Sequence, residues 1–235
     1  MLKFVYMKYN HRNRAILLLQ DGTVFDGFSC GDLGTISGEI CFNTSMTGYQ
    51  EIFTDPSYYG QILIMNTSHI GNYGINDLDV ESDRVMISGL VCNQISQSYY
   101  SRPQANRSLQ EYLKENKIVG ISDIDTRKLV RHIRSKGAMN AVISSVEFDV
   151  NTLMNALKET PDMSGLDLAK EVSTKEVYFS GNESAPYKVA VLDCGVKQSI
   201  LNCLTDAGVY AKVFNASTTF EEMKAWNPNG YFISN

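Results

Sequence analysis

The sequence lacks the marks of membrane, secreted and nucleic-acid-binding proteins. No segment reaches the roughly 18 apolar residues that a membrane-spanning helix needs, and residues 1–14 contain no apolar signal-peptide core. The five cysteines are odd in number and include no C-x-x-C pair, which favours free thiols in a reducing compartment. A net charge of −5 is too acidic to hold a phosphate backbone. We therefore expect a cytoplasmic protein that binds neither membrane nor nucleic acid and opens with an irregular arm at 1–14.

Nucleotide and metal motifs are also missing. The glycine spacings G-x-G-x-x-G and G-x-x-x-x-G-K-[ST] are absent, so neither dinucleotide nor nucleoside triphosphate binding follows. Acidic residues alternate from Asp77 to Asp83 like the first ligands of a calcium loop, but Ser82 and Ser88 stand where glycine and glutamate are required. We expect a solvated acidic loop there and no metal site.

The composition predicts a folded protein of two domains. A chain of 235 residues exceeds the usual size of one domain, and 43% hydrophobic residues are enough for two cores. With 20% charged residues the chain is not disordered by composition.

The first part of the chain predicts a β layer covered on one side by helices. Asp21-Gly22 between two apolar runs favours a hairpin of strands 15–19 and 23–28. Ser108 with Glu111 forms a capping-box pattern for a helix that ends near Asn116, and Asp125 can cap a helix that ends at Gly137. The other predicted elements are strands 62–65, 85–91, 118–121 and 139–143 and helix 151–158.

A regular βαβαβ pattern follows a polar, glycine-containing break near Ser184. Its predicted elements are strands 188–192, 211–214 and 231–234 and helices 197–206 and 219–226. Parallel strands with right-handed crossovers indicate an open, doubly wound sheet. The predicted organisation is thus an arm at 1–14, a first domain with linker at 15–184, and the start of an α/β domain at 185–235.

The polar stretch FNTSMTGYQEIFTDPSYYGQIL, residues 42–63, does not alternate like a core strand. One interpretation is a ligand-docking surface, because a buried hydroxyl or amide without a partner costs about 1–3 kcal/mol. The other is a surface loop that satisfies its own backbone through Ser, Thr and Asp side chains. Composition does not decide between them.

The turn 193–197 is a second candidate site, because ligands bind outside the carboxyl ends of strands in open α/β sheets. Cys194, between a strand and a helix, is a nucleophile candidate or a buried structural thiol. Lys197 is an anion contact or a solvated lysine. Neither His69, for which a local hydrogen bond is expected, nor His132, for which a structural role is expected, carries a signature of pairing with a cysteine.

These segments together resemble the glutaminase (small) subunit family of carbamoyl-phosphate synthetase. The similarity runs in order from Ala15 to Asn235 through FNTSMTGYQEIFTDPSYYGQIL, SHIGNYGIND, GISDIDTRKLVRHIRSKGAMNAVI, GLDLAKEVS, VLDCGVKQSIL and NPNGYFISN. The resemblance implies an α/β chain: an N-terminal β/β/α domain followed by the start of a flavodoxin-like class I glutamine amidotransferase domain.

The resemblance also implies a reaction and a partner. In the family a cysteine thiolate attacks the side-chain amide of glutamine, and the ammonia passes to a large subunit that uses ATP, magnesium and bicarbonate to make carbamoyl phosphate for arginine and pyrimidine synthesis. No cofactor is expected in the small subunit itself. Ser57 matches a serine that contacts the bound glutamine, and Lys197 matches a lysine that lines the same pocket.

One departure from the family bears on activity. The family continues after a strand like YFISN into a Gly-Pro-Gly turn, the cysteine-containing nucleophile elbow, and the histidine and glutamate, all of which would follow Asn235. No catalytic residue is therefore expected within this chain. Two alternatives stay open: a non-catalytic module that docks onto the large subunit, and an unrelated thiol enzyme built on Cys194.

Overall fold

The computed structural model describes residues 12–234. Most of the expected arm at 1–14 lies outside the described residues. Arg12 and Asn13 have no regular structure, and the first strand begins at Arg14.

The predicted hairpin is confirmed. Strands β1 (Arg14–Leu19) and β2 (Val24–Gly31) pair antiparallel. Gly22 in the connecting turn has a φ of 85°, a conformation that glycine adopts at little steric cost. The Asp21 carboxylate accepts a hydrogen bond from the Thr23 amide at 3.0 Å, which closes the turn.

The β layer closes into a seven-stranded barrel in the order β1-β2-β6-β5-β4-β3-β7. The further strands are β3 (Thr35–Asn43), β4 (Ile62–Met65), β5 (Gly89–Cys92), β6 (Val119–Ser122) and β7 (Asn140–Ser144). The expected layer with helices on one side is thus wrong in shape. Closure follows because β7 pairs antiparallel with both β1 and β3.

Four helices of the described chain pack against this barrel. They are α1 (Tyr49–Phe53), α2 (Leu109–Glu115), α3 (Thr126–Lys136) and α4 (Val150–Lys158), followed by the short α5 (Ala169–Val172) in the linker. The capping box of Ser108 and Glu111 and the Asp125 cap are both confirmed. We call residues 14–158 the barrel unit.

The strand β1 is buried on both faces, so it reads as a continuous apolar run. Leu17 and Leu19 belong to the cluster that α3 joins through Leu129 and Ile133. On the opposite face Ile16 and Leu18 pack with the α4 residues Leu153 and Leu157.

A second sheet has the order β11-β9-β10-β8. Its strands are β8 (Tyr178–Ser180), β9 (Tyr187–Asp193), β10 (Val209–Asn215) and β11 (Gly230–Ile233), with helices α6 (Gln198–Asp206) and α7 (Phe220–Ala225). The central β9 pairs parallel with β10 and β11, as the βαβαβ pattern predicts. The helices pack on opposite faces, α6 through Leu201 and α7 through Met223.

The antiparallel edge strand β8 was not predicted. It lies on the N-terminal side of the boundary expected at 184, so the second sheet includes residues of the expected linker. We call residues 178–233 the sheet unit. The mixed α/β class is confirmed for the described chain.

Candidate functional site

The polar stretch from 42 to 63 folds into three short pieces rather than a strand. Beyond the end of β3 it forms α1, a single 3₁₀ turn at Pro56–Tyr58, and the start of β4. The Asp55 side chain caps the 3₁₀ turn by accepting a hydrogen bond from the Ser57 amide at 2.9 Å. Ser57 itself is exposed, and its hydroxyl has no hydrogen-bond partner between residues 12 and 234.

Buried polar groups in this stretch are satisfied within the protein. The Gln50 side chain, 1% exposed, donates to the Asn76 carbonyl at 2.7 Å and accepts from the Asn76 amide at 3.0 Å. The Thr54 hydroxyl donates to the Gln50 carbonyl and accepts from the Glu81 amide at 2.9 Å. For Gln50 and Thr54 the second interpretation is correct, because the protein itself supplies their hydrogen-bond partners. The Ser57 hydroxyl, in contrast, is free to bind a ligand as far as residues 12–234 are concerned.

The solvated acidic loop expected at 77–83 is confirmed for Asp77 and Asp83, which are exposed in a segment without helix or strand, and the loop also forms ion pairs. Asp77 accepts from the Arg107 guanidinium at 2.8 Å, and Asp79 pairs with Arg102. Neighbouring cations stabilise these carboxylates where like charges alone would repel. Within residues 12–234 no group of His, Cys, Asp and Glu side chains is arranged to hold a metal ion.

Glu81 joins the two units by capping α6. Its carbonyl accepts from the Gln198 amide and its carboxylate accepts from the Ser199 amide, both at 2.9 Å. Lys197, at the N-cap position of α6, provides no side-chain cap. The first amides of a helix need such acceptors, and a negative charge there also interacts favourably with the helix dipole.

A second bridge joins the 3₁₀ turn to the start of α6. The Lys197 ammonium lies 3.4 Å from the second carboxylate oxygen of Asp55, whose first oxygen accepts from Ser57. The side chains are 34% and 15% exposed, respectively. Asp55 therefore contacts both Ser57 and Lys197, which are 140 positions apart in the sequence.

The turn after β9 is fixed by a buried carboxylate. Asp193, 3% exposed, accepts from the amides of Gly195 at 2.9 Å, Val196 at 2.7 Å and Thr174 at 2.7 Å. The Cys194 amide donates to the Ser234 hydroxyl at 2.8 Å. The linker and the end of β11 are thus both tied to this turn.

The Cys194 thiol is not activated. Partial burial, with the carboxylates of Asp193 and Asp167 nearby, raises the pKa of Cys194 above its ordinary value. A catalytic thiol needs the opposite shift, because the thiolate is the nucleophile. The thiol enzyme built on Cys194 therefore has no support in the described chain.

Neither histidine of the described chain takes part in the hydrogen bonds and ion pairs between the two units. His132 pairs with Asp21 at 2.6 Å, in keeping with its expected structural role. His69 is exposed, and the local hydrogen bond expected for it is not found among residues 12–234.

A cavity of about 680 Å³ lies between the two units. Its walls come from the 80–86 segment, the linker at 171–176 and the first turns of α6, with Pro56 at one side. Two of its walls are joined where Arg84 donates to the Glu171 carbonyl at 3.0 Å. Ser57 and Lys197 flank this cavity rather than line it.

The family model described as "Carbamoyl-phosphate synthase small chain, CPSase domain" matches residues 17–143, which lie within the barrel unit. The chain belongs to the carbamoyl-phosphate synthase small chain family. The recognition made from the sequence is thereby confirmed.

Three carbamoyl phosphate synthase small chains illustrate the similarity. That of Chlorobaculum tepidum is 47% identical, over 94% of this chain and 60% of its own length. Those of Aquifex aeolicus and Vibrio parahaemolyticus are 46% and 44% identical, over 95% and 94% of this chain and 63% and 62% of their own lengths. This chain thus spans about 60% of the length of these relatives.

Among solved structures, the aminopeptidase from Aneurinibacillus sp. strain AM-1 aligns with 93% of this chain and 56% of its own at 9% identity. Its TM-score is 0.32, too low to indicate a shared fold. No helix within residues 12–234 is both long and apolar enough to cross a membrane.

Two residues of the contacts between the units, Asp55 and Glu81, were not predicted from the sequence. Asp55 precedes Pro56, and an Asx-Pro pair is a signal for a capped turn. Glu81 gave no such signal, because its partner helix begins more than a hundred residues later. Glu81 and the first turn of α6 become neighbours only in the folded chain.

Replacing Glu81 by alanine is expected to loosen the first turn of α6. The change removes the acceptor of the Ser199 amide, and loss of a helix cap costs about 1 kcal/mol. Amide hydrogen exchange at Ser199 should then accelerate about fivefold. Asp83→Ala, which removes an exposed carboxylate of the same segment, is the matched control. Unchanged exchange at Ser199 in Glu81→Ala would show that Glu81 is not the cap.

Proposed function

We propose that this chain is part of the glutamine-hydrolysing small subunit of carbamoyl-phosphate synthase, and that Ser57 and Lys197 contact the bound glutamine. The single observation that carries the proposal is the joining of these residues through Asp55, with Lys197 at 3.4 Å from one carboxylate oxygen and the Ser57 amide at 2.9 Å from the other. Pockets between two structural units are common sites for small molecules.

The chemistry of glutamine suits these side chains. Its α-carboxylate needs a cation, which the Lys197 ammonium supplies, and its ammonium and amide groups need oxygen acceptors and hydroxyl partners. The Asp55 carboxylate holds Lys197 near the 3₁₀ turn, so the lysine does not have to be ordered anew when the ligand arrives. The Ser57 hydroxyl has no competing partner in residues 12–234.

The sheet unit is proposed to be the start of a flavodoxin-like amidotransferase domain. The parallel order β10-β9-β11, with α6 and α7 on opposite faces, supports this, as flavodoxin-like sheets begin in the order 2-1-3. We further propose that the cysteine, histidine and glutamate of the reaction belong to the part of the small chain that these residues do not include.

The partner we propose is the large subunit, which receives the ammonia. ATP and magnesium act there, and the small chain needs no cofactor for hydrolysis by a thiolate. The product would enter arginine and pyrimidine synthesis in the cytoplasm. A second candidate function is a docking module for the large subunit, built on the barrel unit, within which the family model matches residues 17–143.

The test is the glutamine dependence of ammonia release by a full-length small chain that contains this sequence, assembled with its large subunit. Ser57→Ala should raise KM for glutamine about tenfold or more and leave kcat unchanged, because a hydrogen bond to a charged group is worth about 1.5–3 kcal/mol. Ser45→Ala, an exposed serine of the same stretch, is the control.

Two outcomes would contradict the proposal. An unchanged KM in Ser57→Ala would remove this serine from the site. Absence of glutamine hydrolysis together with stable binding to the large subunit would favour the docking module instead.

A further inference from the structure

A second cavity, of about 580 Å³, opens where the parallel strands of the barrel end. Strands β4, β5 and β6 run parallel, so their carboxyl ends meet at one edge. The residues that follow them, including Asn66, Asn93 and Asp125, line the cavity. Ser57 precedes the amino end of β4, so this cavity lies at the other end of the strand from the proposed glutamine site. In parallel β structures, ligands bind beyond the carboxyl ends of the strands.

One wall of the cavity is a row of three arginines on α3. Arg127, Arg131 and Arg134 follow the i, i+4, i+7 spacing and therefore share one face of the helix. All three are exposed, and none forms an ion pair with a carboxylate of residues 12–234. Four other arginines of this acidic chain do form such pairs, namely Arg12, Arg14, Arg102 and Arg107.

The floor of the cavity adds polar groups without partners. The side chains of Asn66 and Thr67 are half-buried, and neither has a hydrogen bond within the described chain. The side-chain amide of Asn93 donates a hydrogen bond to the Ile124 carbonyl at 3.0 Å. Asp125 is the single carboxylate of the lining, and it accepts from the Lys128 amide as the cap of α3. Asp125 is thus already used as the helix cap. The charged groups of the cavity without an ion-pair partner among residues 12–234 are the three arginines.

We propose that this cavity binds a small molecule carrying at least two negative charges on phosphate or carboxylate groups. Guanidinium groups donate paired hydrogen bonds to either kind of oxyanion. Neighbouring like charges on a helix are unfavourable in isolation, and an anion between them removes that repulsion. The volume is within the range of small-molecule sites, and the hydroxyl and amide floor can bind the remaining oxygens. This site belongs to the barrel unit alone and does not depend on glutamine hydrolysis.

The test is calorimetric titration of the chain with inorganic pyrophosphate and, separately, with citrate, each at constant ionic strength. Arg131→Gln removes the middle cation of the row and should weaken binding of the preferred probe at least tenfold. Arg131→Lys, which keeps the charge but loses the paired donors, should fall between. Lys128→Gln is the matched control, since it removes one charge from the same helix at a side chain that lies near the Phe25 ring and not in the lining; it should weaken binding less than threefold.

The outcomes separate the alternatives. Pyrophosphate binding without citrate binding identifies a phosphate site, and the reverse identifies a carboxylate site. Equal losses in Arg131→Gln and Lys128→Gln would show diffuse attraction and overturn the proposal, as would millimolar concentrations of both probes giving no heat. Tighter binding of an octaglutamate peptide than of either probe would assign the face to an acidic protein surface and overturn it too. Arg127→Gln replaces Arg131→Gln if circular dichroism shows that the latter does not fold.

Discussion

Asp193→Ala is expected to unfold the sheet unit at a urea concentration that leaves the barrel unit folded. The carboxylate accepts from three backbone amides, those of Gly195, Val196 and Thr174, and is 3% exposed. Alanine leaves these donors without an acceptor, and each buried unsatisfied donor costs about 1–3 kcal/mol. The free energy of unfolding of the sheet unit should therefore fall by about 3 kcal/mol or more.

The measurement uses the single tryptophan of the chain. Trp226 lies against Phe179 and Tyr210 in the sheet unit, so its fluorescence reports on that unit. Asp206→Ala, an exposed carboxylate at the end of α6, is the control and should leave the transition within about 0.5 kcal/mol of the parent. A fluorescence transition in Asp193→Ala that matches the parent would mean that the turn is held by other contacts.

Phe53→Ala is expected to destabilise the barrel unit by about 3–5 kcal/mol. The ring is fully buried in the cluster formed with Tyr49, Leu63 and Leu90, and alanine leaves a cavity there. Because the Phe53 carbonyl accepts from the Met86 amide at 2.8 Å, and Asp55 follows two residues later, the 3₁₀ turn that carries Ser57 should also lose its fixed position.

Far-ultraviolet circular dichroism in urea measures this loss, because the barrel contains most of the strands. Phe148→Ala, which truncates a ring that is 37% exposed, should cost less than about 1 kcal/mol. Equal losses in the two variants would show that burial at Phe53 does not determine the stability of the barrel.

Local elements were predictable from local signals. Asp21-Gly22 marks the hairpin, and Ser108, Glu111 and Asp125 mark two helix starts, because each acts within a few residues of the chain. Strand β3 was missed since Gly38 and Glu39 interrupt its apolar pattern, and β5 begins at Gly89 rather than 85. Closure of the barrel depends on pairing between strands far apart in sequence, which periodicity does not encode.

The candidate site, too, was only partly predictable from the sequence. Ser57 and Lys197 came from resemblance to a family, and that they contact glutamine stays a prediction. The ion pair of Lys197 with Asp55 and the cap that Glu81 gives to α6 could not be read from the sequence, since each joins residues more than a hundred positions apart. Both contacts join the barrel unit to the start of α6, so they exist only where the folded chain places these parts side by side.

The order of the second sheet determines where that sheet can grow. On one side β8 runs antiparallel and spans three residues, whereas β11 on the other side runs parallel to β9 and leaves one row of its backbone amides and carbonyls unpaired by any described strand. Ile233 on β11 is 70% exposed, so an apolar side chain adjoins that unpaired row. A fourth parallel strand laid against β11 would pair that row, and its carboxyl end would lie on the same edge of the sheet as the turn that Asp193 fixes, with β11 between the two.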